Sequence, residues 1–239
     1  RLFGVESPED VTYEKVTNFI MSLTNQSKKW TSDNLTILIP MAGAGSRFQE
    51  KGYTFPKPLI EVHSKPMIQT VVENLNIEAH YVFIVQKDHY EKYNLKHLLN
   101  LIAPNCDIVQ VEGITEGAAC TTLLAEKYID NEKHLLIANS DQFVEWDSSN
   151  FMYSMIASGF DGGILTFTAT HPKWSFIRVD DNGFVVEVAE KKPISTIANC
   201  GIYYFNKGSD YVKYAKQMID KDIRTNNEFY IAPVYNEMI

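Results

Sequence analysis

Residues 35–59 read LTILIPMAGAGSRFQEKGYTFPKPL, and the rest of the chain can be read outward from them. The apolar run of Leu35, Ile37, Leu38 and Ile39 has the residue types of a buried strand. It feeds a turn built from Gly43, Ala44, Gly45 and Ser46. Glycine accepts φ > 0 and carries no Cβ, so backbone N–H groups in such a turn can crowd around phosphate oxygens. Arg47 follows at once with a planar fork of donors that suits phosphate. Lys57 stands between Pro56 and Pro58, which fix φ on both sides and present the ammonium from a stiff segment. The stretch reads as a site for a nucleoside triphosphate. It matches neither the dinucleotide fingerprint, which needs a third glycine, nor the P-loop, which ends in Gly-Lys-Ser/Thr.

Strand and helix patterns alternate beyond it. Strands are expected at 35–39, 80–85, 107–111 and 135–138, and helices at 67–74, 88–102, 117–129 and about 150–157. Such alternation predicts an α/β fold with a mainly parallel sheet covered by helices on both faces. The second half changes character, with strand-like runs at 163–170, 176–179, 184–189 and 199–205. Asp180-Asp181-Asn182-Gly183 reads as a hairpin turn, and helices are expected around 210–219 and at the C-terminus. One nucleotide-binding half is thus joined to one substrate-binding half, with ligands in the crevice outside the strand C-termini.

Ahead of this domain, placed at 34–239, residues 1–33 read as a helical extension or linker. Ser7-Pro8-Glu9-Asp10 is a helix start, and Val16, Phe19, Ile20 and Leu23 recur at helical spacing to about Asn25. The chain begins at Arg1, so a domain of a longer chain or a homo-oligomer is expected.

A length of 239 residues suits one large α/β domain. Hydrophobic content of 45% and charged content of 22% are those of a globular protein. The net charge of −8 argues against non-specific nucleic-acid or membrane-surface binding, yet a local cationic cluster or a bound Mg²⁺ still permits anionic substrates. Cys106, Cys120 and Cys200 lack CxxC spacing, which suggests reduced thiols and a cytoplasmic setting. No apolar stretch approaches the ~20 residues that span a bilayer. The six histidines show no metal-ligand spacing, and there is no Gly-x-Ser-x-Gly elbow.

The order strand, Gly43-Ala44-Gly45-Ser46-Arg47, spacer, Phe55-Pro56-Lys57-Pro58-Leu59 closely resembles the N-terminal motif of the sugar-phosphate nucleotidylyltransferases, the nucleoside-diphosphate-sugar pyrophosphorylases. That family usually shows Gly-x-Gly-Thr-Arg followed by Pro-Lys-Pro; Ser46 replaces Thr and keeps the hydroxyl. The resemblance runs from about Leu35 to the C-terminus. It implies a Rossmann-like three-layer nucleotidyltransferase fold with a mainly parallel mixed sheet. It also implies transfer of a nucleotidyl group from CTP, UTP or dTTP to a sugar 1-phosphate, with Mg²⁺ as cofactor. The triphosphate would meet Ala42, Gly43, Ala44, Gly45, Ser46 and Arg47, while Lys57 bridges the attacking phosphate and the α-phosphate.

The same resemblance assigns the other site residues. Asp141, otherwise a loop residue capping a turn, falls where the family has a metal-binding Asp and becomes the magnesium ligand. The family's second Asp aligns with Pro233, which leaves Asn236 either as a replacement oxygen ligand or as an ordinary polar residue on a C-terminal helix. Glu112, Gly117 and Ala119 match a base-reading segment in which the family has Gln at the first position. An ionised Glu only accepts hydrogen bonds, which tilts the base toward cytosine; the alternative is a solvent-facing Glu112 with the base read by backbone amides. Glu190 and Lys191 resemble a Glu-Lys-Pro segment that meets sugar hydroxyls and the sugar phosphate, and Asn199 and Gly201 an Asn-x-Gly-x-Tyr strand that contacts the sugar. Two rivals stand beside this reading: cytidylyl transfer to a non-sugar phosphorylated acceptor, and a non-catalytic nucleotide- or sugar-binding regulatory subunit.

Overall fold

The computed structural model describes residues 29–43, 55–62 and 64–239. The helix expected within residues 1–28 lies outside them, as do Ala44, Gly45, Ser46 and Arg47.

The elements run in the order β1 (Trp30–Pro40), β2 (Glu61–Val62), β3 (Lys65–Pro66), α1 (Met67–Leu75), β4 (Ile77–Gln86), α2 (Lys87–Lys92), α3 (Leu95–Ile102) and β5 (Asp107–Val111). There follow α4 (Ala118–Leu123), α5 (Glu126–Ile129), β6 (His134–Ala138), α6 (Ser148–Ser158), β7 (Gly162–Thr168), β8 (Ser175–Val179), β9 (Val185–Glu190), β10 (Ile197–Phe205), α7 (Gly208–Asp220) and α8 (Tyr235–Met238).

The main sheet has the order β5-β4-β1-β6-β10-β8-β9, with β7 paired to β10. The first four strands are parallel, and β10 then runs antiparallel to β6, β7 and β8. The change of character at mid-chain is this switch. The architecture is the expected mixed α/β sheet, but among the described strands it is not mainly parallel, since β6–β10, β10–β7, β10–β8 and β8–β9 all pair antiparallel. β1 is buried on both faces from Leu35 to Ile39, as a central parallel strand must be. Ile37 and Ile39 pack with Phe83, Val85 and Leu136 in a core shared with α1, α3 and α6. Leu38 points the other way, to Val82, Ile84, Leu135 and Ile137 in a core shared with α4, α7 and the C-terminal segment. Three layers result.

Local departures from the sequence reading have local causes. The single helix expected over 88–102 is two helices, because Asn94 adopts a left-handed conformation with φ of 49° between them. β1 begins at Trp30, inside the span read as an extension, since Trp30 and Thr31 pair with Ile77 and Glu78 of β4. The Asp180–Gly183 turn forms as read: Gly183 has φ of 85°, and Asp180 Oδ1 accepts from the amides of Asn182 and Phe184. Among the described residues no helix is long and apolar enough to cross a membrane.

Candidate active site

The C-terminal ends of the parallel strands converge on a cleft of about 470 Å³. Each wall follows from where a strand stops. Past β1, Met41, Ala42 and Gly43 line the cleft, and the Met41 amide still donates to the Ile84 carbonyl at 2.8 Å. Past β6 come Asn139, Ser140 and Asp141. The loop after β5 contributes Ile114, Thr115 and Gly117. Gln86, the last residue of β4, ties two of these walls together: its amide donates to the Ala42 carbonyl at 2.6 Å and the Gly113 carbonyl at 2.8 Å.

Lys57 opens a short 3₁₀ turn, Lys57–Leu59, entered from Pro56 at φ −61°. Pro58 is buried beneath it. The ammonium reaches the cleft and pairs with Asp141, from the segment that follows β6. The two residues assigned to catalysis and metal binding therefore meet, although 84 positions separate them.

The segment from Glu112 to Ala119, assigned by resemblance to reading the base, is held by packing. Gly117 has φ of 129°, and a Cβ there would fall 2.4 Å from the Phe229 carbonyl oxygen. Glycine is required, and an alanine at 117 is expected to cost about 2–4 kcal/mol. The Ala119 amide donates to the Phe229 carbonyl at 3.0 Å, and the Phe229 amide to the Glu116 carbonyl at 2.8 Å. Ala119 is fully buried and supports the loop without lining the cleft. Glu112 points away from the cleft and pairs with Lys87 at 2.6 Å. That hydrogen bond holds its carboxyl below the usual range. The Glu112 side chain is mostly exposed, at 76%.

Of the acceptor residues, Asn199 is buried, and its Oδ1 accepts from the Gly201 amide at 2.7 Å. Gly201, at φ of 91°, lets β10 press against Asn139 and Gln142 beside the cleft floor. Glu190 accepts from the Ser175 hydroxyl, and burial pushes its carboxyl up. Lys191 donates to the Tyr230 hydroxyl and lies over that ring at 4.4 Å.

Asn236 calls for a correction. Its Oδ1 accepts from the Val188 amide and its Nδ2 donates to the Val188 carbonyl, both at 2.8 Å. The amide is spent clamping β9 to α8, and Asn236 does not line the cleft. The carboxylate that does line it from this stretch is Glu228, with Tyr230 beside it. Sequence reading passed over both, although Phe229 between them is buried. That alternation of buried and cleft-facing positions is the signal of an extended segment with one face on a site. Gln86 and Ile114 were also missed, and nothing in their spacing marks them.

Among the described residues no group of three or more His, Cys, Asp or Glu side chains is arranged to hold a metal. Burial pushes the Cys106 and Cys200 thiols up to about 11, so neither is a ready thiolate.

Comparison with known proteins gives the same frame. The sequence profile described as nucleotidyl transferase matches residues 37–232. The bifunctional protein GlmU of Methanocaldococcus jannaschii is 27% identical over 176 residues, covering 71% of this chain and 40% of that protein. A 2-aminoethylphosphonate cytidylyltransferase of Lancefieldella rimae is 25% identical, covering 82% of this chain and 77% of the relative. The chain thus spans about two fifths of the first of these. A solved nucleoside-diphosphate-sugar pyrophosphorylase from Vibrio cholerae superposes with a TM-score of 0.70 at 27% identity, over 84% of this chain and 86% of that one.

Proposed function

We propose that this chain, which belongs to the nucleotidyl transferase family, transfers a nucleotidyl group from a nucleoside triphosphate to a sugar 1-phosphate, releasing pyrophosphate. The observation that carries the reading is the meeting of Lys57 and Asp141 in one cleft, across from Ala42 and Gly43 at the end of β1.

In this reading an acceptor phosphate oxygen attacks the α-phosphorus and forms a new P–O bond. The bond from that phosphorus to the β-phosphate oxygen breaks, and pyrophosphate leaves with the electron pair. The nucleophile is already an anion near neutral pH, so no side chain has to remove a proton. What the protein must do is hold two polyanions together and stabilise charge moving to the leaving group, a task of positioning and electrostatics. Lys57 serves both, from a backbone that two prolines hold fixed. Gly43 and the residues up to Arg47 are assigned to the β- and γ-phosphates. Asn139 and Ser140 bring polar groups to the floor, and Ile114, 80% exposed at the rim, offers the base an apolar surface.

Mg²⁺ fits the oxygen donors present: it takes one or two carboxylates together with substrate phosphates and water. Asp141 would hold it, and the ion would neutralise charge on the triphosphate.

A second reading has its own support. One relative, covered over 77% of its length, is a 2-aminoethylphosphonate cytidylyltransferase, and Glu228 places a carboxylate on the cleft wall with Glu190 near enough to feel its charge. Pyrophosphate release separates the two, crossing CTP, UTP, dTTP, ATP and GTP with sugar 1-phosphates and with small amine-bearing phosphates and phosphonates. Release with a sugar 1-phosphate supports the first reading; release only with amine-bearing acceptors supports the second. Silence across the panel, in a folded protein that binds nucleotide, goes against both.

A further inference from the structure

Lys191 joins two residues of the cleft wall, Tyr230 and Glu228, in a continuous polar chain. Lys191 Nζ donates to the Tyr230 hydroxyl, and that hydroxyl donates to Glu228 Oε2 at 2.6 Å. A tyrosine hydroxyl has one proton and two lone pairs, so it can do both at once. The carboxylate behind it draws the phenol proton and makes the oxygen a better acceptor for the ammonium. The ring contributes as well, with the ammonium 4.4 Å from its centroid.

The backbone is set for the same end. Lys191 has φ of 54°, a left-handed conformation uncommon for a lysine. Its amide donates to the Trp174 carbonyl at 3.0 Å. Residues held in such conformations concentrate where a side chain must be aimed. Here the side chain ends on Tyr230, which lines the cleft together with Glu228.

We infer that Tyr230 is a positioning residue for the acceptor: braced by Glu228, it holds the Lys191 ammonium at the cleft wall, where the ammonium meets the acceptor's phosphate or phosphonate. Only one of the three ammonium donors goes to Tyr230 in this arrangement. Glu228 screens the acceptor side without neutralising Lys191 directly, since the phenol stands between them. The inference rests on the nucleotidyl-transfer reading.

The test compares wild type with Tyr230→Phe, Lys191→Met and the double variant. Tyr230→Phe keeps the ring and removes only the hydroxyl. With a productive substrate pair, Tyr230→Phe is expected to raise the acceptor KM about tenfold. The triphosphate KM should stay within about twofold and kcat fall less than about threefold, as loss of ground-state acceptor binding requires. Lys191→Met should raise the acceptor KM at least as far, and adding Tyr230→Phe to it should change little, because the hydroxyl acts through the ammonium. An unchanged acceptor KM in Tyr230→Phe, an equal rise in triphosphate KM, or effects that multiply in the double variant would overturn the inference.

Where no pair turns over, the four proteins are titrated with inorganic phosphate and followed by phosphorus NMR. The same ranking of affinities is expected, and equal affinities overturn the inference. Triphosphate binding by wild type, measured by calorimetry, keeps the two claims apart. Its absence removes the nucleotidyl-transfer reading, while the phosphate ranking still decides the role of Tyr230.

Discussion

Glu190 shows how burial of one carboxyl couples stability to pH. Lost hydration is the main reason its carboxyl sits above the usual range; Ser175 and Lys191 oppose the shift and Glu228 adds to it. The folded state therefore holds this proton more tightly than the unfolded chain. Its stabilising contribution is complete below the unfolded value and is lost as pH rises through the folded one. Glu190→Gln cannot titrate. It is expected to show a shallower fall in Tm than wild type as pH rises from about 4 toward neutrality. Parallel Tm–pH profiles for the two proteins would count against this account. Single residues were only partly legible. Lys57 stood out only within the ordered motif around it, and Asp141, alone readable as a turn-capping residue, was picked out by the family resemblance. The pairing of Glu112 was not legible, because sequence cannot show that Lys87, at the end of the neighbouring strand, lies within reach of it.

At the scale of elements, β9 and the C-terminal turn meet at Asn236. Two hydrogen bonds to the Val188 backbone fix that junction, and Val188 is buried. Asn236→Ala leaves a buried amide and a buried carbonyl without their partner, at about 1–3 kcal/mol for each. The expected outcome is a clear loss in a denaturant titration, with the Mg²⁺ dependence of turnover unchanged. A variant of normal stability but altered Mg²⁺ dependence would restore the metal role read from sequence. Elements themselves were largely legible, because the parallel strands are continuous apolar runs and the hairpin turn carries Asn-Gly. What could not be read was the break at Asn94 or the docking of Phe229 against Gly117. The first depends on one residue taking a left-handed conformation, the second on two loops more than a hundred positions apart.

Across the whole molecule, the switch from parallel to antiparallel pairing at β6 and β10 sets the site. The parallel strands end at one wall of the cleft, and the segment around Glu228 and Tyr230 forms another. The overall plan, with a crevice outside the strand C-termini, was legible from alternation followed by a run of strands; that Glu228 and Tyr230 would line that crevice was not, since it is a product of the sheet order. The account's central claim is that Lys57 acts at the junction of the two walls. The measurement that tests it most directly is pyrophosphate release in a single turnover by wild type and Lys57→Ala at saturating substrates. The predicted result is a fall of ~10²–10³ in rate, the scale for loss of one preorganised electrostatic donor, with triphosphate binding retained. A folded Lys57→Ala protein that releases pyrophosphate at the wild-type rate would contradict it.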